Sequence, residues 1–211
     1  MSGLATRIMA LPDAGTLGII GSGFQARSQL AAMLAARSLR RIKVWSREAE
    51  KRNAFAAESS ASFGTSIQAV DTAEEAVRDA EIVVTATNAK DPVVASEWIA
   101  PGTHINAMGS NQAKRRELPT DLVLRADRIA VDSIEQAHME AGDLLLALDE
   151  NGWKDPKLVE LKDLVAGSFN RKPTDITIFK SNGLALEDVI CAGYVYERGI
   201  KEGSGAEMRY S

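Results

Sequence analysis

Residues 16 to 38, TLGIIGSGFQARSQLAAMLAARS, limit the fold more tightly than any other stretch of the chain. A short apolar run stops at Gly21-Ser22-Gly23, and apolar Ala26, Leu30, Met33 and Leu34 then recur at helical spacing. A strand that turns directly into a helix commits the chain to a crossover, and so to a parallel sheet. The turn itself, Gly21-Ser22-Gly23-Phe24-Gln25-Ala26, has the pattern G-x-G-x-x-A. The first glycine permits a tight turn and the second lets backbone amides approach a pyrophosphate. The third small residue lets helix and strand pack closely, and the positive end of the helix favours the anion. The strand before the loop and the helix after it give the pattern a meaning it lacks alone.

The rest of the chain repeats this alternation. Short strands are predicted over 41–47 (RIKVWSR), 66–70, 81–87 (EIVVTAT), 103–109 (THINAMG), 128–133 and 175–181 (DITIFKS). Helices are predicted over 48–59 and over 71–80, where Asp71-Thr72 reads as a cap followed by acids. A single helix is expected over 133–152, ending in a turn at NGWKDP, and a long one over 184–203. That last helix carries apolar residues at 186, 189, 190, 194 and 195, and Cys191 on it reads as a buried structural thiol. Residues 204–211 read as a frayed tail. The expected fold class is α/β, a Rossmann-type doubly wound parallel sheet.

The end of the second strand bears on which dinucleotide is held. An acid there would bind a ribose 2′-hydroxyl, whereas arginine with small polar neighbours suits a 2′-phosphate. The sequence reads Val44-Trp45-Ser46-Arg47-Glu48, with Ser46 at the usual place of the acid. This favours NADP(H) over NAD(H); a solvated Arg47 paired with Glu48 is the plainer alternative.

Composition closes off other functions. A net charge of −4 and a pI near 5.4 argue against a nucleic-acid partner. Two histidines far apart and one cysteine offer no metal-ligand spacing. One cysteine also excludes an internal disulfide and fits a reducing compartment, so the expected location is cytoplasmic. No apolar stretch approaches the roughly 20 residues of a membrane span, and no membrane partner is expected.

Four stretches together carry a resemblance: GIIGSGFQARSQL, DAEIVVTATNAKDPVV, APGTHINAMGSNQAKRREL and DITIFKSNGLALEDVICAGYVY. In this order, over essentially the whole chain, they resemble the ornithine cyclodeaminase/μ-crystallin family. That family includes cyclodeaminases, alanine dehydrogenases, ketimine and pyrroline-carboxylate reductases, and μ-crystallin. The resemblance implies that Gly21, Gly23, Phe24, Gln25 and Ala26 form the pyrophosphate loop, and that Ser46 and Arg47 meet the adenosine ribose and its phosphate. Thr85 would line the cofactor groove, and Met108, Gly109, Ser110 and Ser181 would lie on the nicotinamide side. Asn111 and Asn182 would face a small amino-acid or imino-acid substrate.

Two departures shape the expectation. Asn111, the candidate catalytic position, stands where the cyclodeaminases have an aspartate, and an amide has no proton to exchange near neutral pH. This favours imine reduction or amino-acid dehydrogenation over deamination. A lyase using NAD+ catalytically, and a nucleotide-binding fragment without turnover, remain the alternatives. Second, full-length members have an N-terminal segment that grips the substrate carboxylate and makes a homodimer. The chain is therefore expected to be a truncated member, with a leading helix over 1–15, a dinucleotide domain over 16–183, and a C-terminal helix and tail over 184–211 belonging to the substrate and dimerisation domain. Lys180 and Arg115 could supply positive charge, although each reads more simply as a surface residue or a cofactor contact.

Overall fold

The computed structural model describes residues 1–206 and residue 208. Of the expected tail, residues 204–206 and 208 are described, and residues 207 and 209–211 lie outside the described residues.

The glycine loop and its flanks form as expected. Strand β1 spans Thr16–Ile20 and helix α2 spans Phe24–Ala36, preceded by helix α1, Ser2–Met9. Then follow β2 (Arg41–Trp45), α3 (Ala49–Phe63), β3 (Ile67–Ala69), α4 (Ala73–Val77), β4 (Ile82–Thr85) and β5 (His104–Ala107). Thr72 caps α4 by accepting from the Glu75 amide at 3.1 Å, the role read from the sequence. The remainder comprises α5 (Thr120–Arg125), β6 (Arg128–Val131), α6 (Ile134–Glu140), α7 (Gly142–Leu145), β7 (Leu158–Glu160), α8 (Leu161–Ala166), β8 (Thr177–Lys180) and α9 (Ala185–Glu202).

Among the described residues the eight strands are all parallel, in the order β3-β2-β1-β4-β5-β8-β6-β7. The chain winds outward through β2 and β3, then returns to place β4 on the other side of β1. A crevice opens at the carboxyl ends of β1 and β4, where such sheets bind their ligands. Alternation across the pleat feeds two apolar layers. Ile82 and Val84 of β4 join Leu17, Ile19, Val44 and Phe55, while Val83 joins Ile20, Ile105, Ile129 and Ile178. Burial on both faces explains the unbroken apolar run Ile82-Val83-Val84 of β4.

Helix α1 buries Ser2, Ala5, Thr6 and Met9, an i, i+3, i+4, i+7 stripe. One side chain holds several carbonyls in the last turn of α1 and just beyond it. Arg37 donates to Thr6 O at 2.9 Å, Arg7 O at 3.2 Å, Ala10 O at 3.0 Å and Leu11 O at 3.0 Å, which satisfies acceptors that a helix end leaves open.

Three expectations need correction. The helix over 133–152 is two, broken at Ala141-Gly142. A Cβ at Gly142 would collide with the Arg115 carbonyl oxygen, so the chain must pass there at backbone contact and cannot continue straight. Cys191 is exposed, not buried. The helix that carries it, α9, has no buried residue among those described: Leu186 is 64% exposed and Val195 68%. Its amphipathic spacing is real, but no described element covers the apolar face. Lastly, α5, β7 and α8 form in segments given no element from the sequence. No helix among the described residues is long and apolar enough to cross a membrane.

Candidate dinucleotide site

At the carboxyl ends of β1, β2 and β4 lies a cleft of about 1290 Å³. Its floor is the glycine loop. Gly21 has φ +117°, and a Cβ there would collide with the Ala86 carbonyl oxygen, so the position accepts only glycine. At Gly23 the opposite holds: a Cβ would meet no atom within 4 Å. Gly23 is the N-cap of α2 and brings no side chain to the helix end, so the first-turn amides face open space. A turn closed behind Gly21 and open above Gly23 has the shape that a pyrophosphate needs.

The end of β2 forms one wall. The Ser22 hydroxyl donates to Ser46 Oγ at 2.9 Å and ties the loop to this strand. Arg47 is exposed on the cleft. It is not paired with Glu48, which instead binds Lys51 at 2.8 Å. Residues 86–95 with Trp98 form the opposite wall, completed by Gly109 and Arg115. Four basic side chains line the cleft (Arg47, Lys51, Lys90 and Arg115) against two acidic ones (Glu48 and Asp91). The excess of positive charge suits a polyanionic ligand.

Of the residues singled out from the sequence, Gly21, Gly23, Phe24, Gln25, Ser46, Arg47 and Gly109 line this cleft. Ala26 is fully buried, packing α2 on the sheet. Met108, Ser110 and Asn111 follow β5, and Ser181 and Asn182 follow β8. These are neighbouring strands, so the two groups sit side by side next to Gly109, off the cleft wall itself. Asn111 is exposed. The Asn182 and Gly183 amides donate to Asp132 Oδ2 at 2.8 and 2.9 Å, which fixes the β8 loop.

Thr85 and Lys180 sit elsewhere than expected. Thr85 is fully buried, and its hydroxyl donates to Glu117 Oε2 at 2.8 Å instead of facing the groove. Lys180 is neither a surface residue nor a cleft residue. It is 0% exposed, 3.4 Å from Asp143 Oδ2, and it donates to the Ser110 carbonyl oxygen. A buried ammonium needs such partners.

The residue missed altogether is Glu117. It directly follows the basic run Lys114-Arg115-Arg116, yet it is 0% exposed. Its carboxylate accepts four hydrogen bonds. Thr85 Oγ1 and the Gly109 amide donate to Oε2, both at 2.8 Å; the Thr87 amide and hydroxyl donate to Oε1, both at 2.7 Å. Burial pushes the carboxyl above the usual range, the donated hydrogen bonds pull it back, and neighbouring Asp143 adds to the rise. Asp143 in turn accepts from the Glu117 and Leu118 amides at 2.6 and 2.8 Å. No sequence periodicity could reveal this, since every partner is remote in the chain or a backbone group. Among the described residues, no group of three or more His, Cys, Asp or Glu is placed to hold a metal ion.

Known proteins resemble this chain in sequence and fold. The profile of the ornithine cyclodeaminase/mu-crystallin family matches residues 1–203. A Delta(1)-pyrroline-2-carboxylate reductase of Bacillus cereus is 38% identical over 213 residues, covering 100% of this chain and 65% of its own length. The structure of the Thermococcus litoralis Delta(1)-pyrroline-2-carboxylate reductase in complex with NADH and L-proline superposes with a TM-score of 0.92 at 37% identity, over 98% of this chain and 65% of that one. An archaeal alanine dehydrogenase dimer with bound NAD gives 0.89 at 30% identity, over 100% and 65%. The chain thus spans just under two thirds of the length of these relatives.

Proposed function

We propose that this chain, which belongs to the ornithine cyclodeaminase/mu-crystallin family, binds a nicotinamide dinucleotide in the cleft and serves the reduction of an imino acid to an amino acid. The observation that carries the reading is the paired behaviour of the two glycines. Gly21 is closed against Ala86, while Gly23 opens a free helix end to the cleft. The residues present fit the cofactor: amides of the glycine loop and α2 for the pyrophosphate, Ser46 and Arg47 for the adenosine ribose, Thr87 and Gly109 for the far wall. Once bound, a reduced nicotinamide supplies the hydride. The chain's own part is to orient the partners and exclude water, and bringing two reactants into register is worth several kcal/mol of barrier.

Asn111, beside Gly109, can orient an imine nitrogen or a carboxylate by hydrogen bonds, but it cannot act as a general base. This supports reduction over deamination, as does the name of the Bacillus cereus relative, whose substrate is a cyclic imine. The unpaired Arg47 next to Ser46 favours NADP(H), with NAD(H) the second choice because the Thermococcus relative holds NADH. The single cysteine supports a cytoplasmic location, and the archaeal relative's dimer supports a homodimer.

Two measurements test the reading. Steady NADPH consumption with a cyclic imino acid supports it, whereas ammonia release with catalytic NAD+ refutes it. Arg47→Ala should weaken NADPH binding about tenfold, the scale of one lost charge-assisted contact, and leave NADH nearly unchanged. Equal losses for both would sink the NADP assignment.

A further inference from the structure

Glu117 reaches none of the cleft space, yet two of the groups it holds form the cleft wall. Thr87 and Gly109 both line the cleft. They stand at the ends of β4 and β5, and each gives a backbone N–H to the same buried carboxylate. The Gly109 backbone lies so close to Thr87 that a Cβ at Gly109 would collide with the Thr87 backbone and with Glu117 Oε1. The carboxylate is fixed from behind as well: the Glu117 and Leu118 amides are bound to Asp143, which Lys180 faces. The Glu117 carbonyl also accepts from the Val93 amide at 2.9 Å, which joins the 86–95 wall to the same point.

We infer that Glu117 is a positioning residue for the far half of the dinucleotide site. Its carboxylate sets the spacing of the Thr87 and Gly109 loop crests, and hence the fit of everything beyond the pyrophosphate. The inference rests on the reading of the cleft as a dinucleotide site.

The chemistry of the four donors gives a specific test. In Glu117→Gln an NH2 group replaces one oxygen. A threonine hydroxyl can rotate and accept from it, but a backbone N–H cannot. Whichever way the new amide turns, one wall amide, of Thr87 or of Gly109, loses its acceptor and meets a second donor. Buried donors left in this state relax or expose themselves. The adenosine half of the site, built on Ser22, Gly23, Ser46 and Arg47, has no bond to Glu117 and should not respond.

The experiment compares the affinity of the full chain for NADPH and for ADP by calorimetry, before and after Glu117→Gln. The expected result is a loss of about tenfold for NADPH, the scale of one orphaned buried donor, with the ADP affinity unchanged and the far-UV spectrum retained. Equal losses for both ligands, or no loss for either, overturn the inference. If the unsubstituted chain binds neither ligand, the dinucleotide reading itself falls and the inference with it. Should Glu117→Gln fail to fold, Thr85→Val is read the same way. It deletes one bond to the carboxylate from a fully buried position away from the cleft, and an unchanged ratio of the two affinities then overturns the inference.

Discussion

His104 offers a clean test of the energetics, because the chain has only two histidines and the other, His138, is exposed. The His104 ring is fully buried on β5, with Nδ1 2.9 Å from Thr177 Oγ1. That hydroxyl donates onward to the Met9 carbonyl at 3.0 Å. It therefore accepts from the ring, which assigns His104 as the neutral Nδ1–H tautomer. Burial, helped by the positive charge of Arg171, lowers its pKa to about 3. In the unfolded chain the ring titrates near the ordinary value of about 6.5.

Between these values the unfolded state binds the extra proton, so stability falls as the pH is lowered from 6.5 towards 3, with a slope approaching about 1.4 kcal/mol per pH unit. Integrated from about pH 8 to about pH 5, His104 alone accounts for a loss of about 2 kcal/mol. That is a substantial part of the roughly 5–15 kcal/mol by which domains are stable. Glu117 acts with the opposite sign: its pKa is raised in the folded state, chiefly by burial, so protonation there adds stability as the pH falls. The His104 contribution must therefore be read as a difference. Urea unfolding followed by tryptophan fluorescence, on the parent chain and on His104→Asn, should give two stability curves. Their separation is a constant offset above about pH 8 and narrows by about 2 kcal/mol by about pH 5. A separation that stays flat over this window would refute the account of a neutral imidazole held by burial. A separation that widens would mean that the folded state carries the proton.

Other outcomes follow from the same geometry. Gly21→Ala should lower stability by about 2 kcal/mol or more, since a positive φ and a backbone collision coincide there; a thermal melt measures it. Gly23→Ala should stay within about 1 kcal/mol of the parent, because a Cβ meets nothing, yet it should weaken dinucleotide binding by about tenfold or more. A Gly23→Ala variant that binds normally would show that no ligand approaches this turn. Cys191 should react with a thiol reagent in the folded chain as fast as in urea, and a protected thiol would show that something covers α9.

The sequence was most readable where local and global requirements coincide. The run Ile82-Val83-Val84 is apolar without a break because β4 is buried on both faces, and the glycine loop carries its geometry in its own residues. Reading failed where the cause lies elsewhere in the chain. The break at Ala141-Gly142 exists because the Arg115 carbonyl passes there, a contact 27 residues away that no helical periodicity encodes. Leu158–Glu160 is a three-residue edge strand, too short to alternate visibly. The apolar stripe of α9 was legible, but a stripe says only that burial is possible, and in this chain Cys191 and its neighbours remain in solvent. Within the site, the glycine loop and the β2 end were found from motif spacing. Glu117 drew no notice and Lys180 read as a surface residue or cofactor contact, because buried charges look like any others until their partners are located.

The position of β8 has a consequence for the order in which the molecule can assemble. It is the last strand among the described residues, yet it lies between β5 and β6, with four paired residues on each side. No earlier segment bridges β5 to β6, so during synthesis β1 to β5 can form a sheet, while β6 and β7 can pair only with each other. The two parts join when residues 177–180 arrive, and the closing strand carries Lys180 to Asp143. Until that moment Asp143 can remain hydrated, and the ammonium enters at the step that shuts out water. A chain released before residue 180 would thus keep its nucleotide loop but leave a row of open backbone groups on β5, the kind of edge that pairs with other chains. The polypeptide is committed to its final form only once β8 has taken its place between β5 and β6.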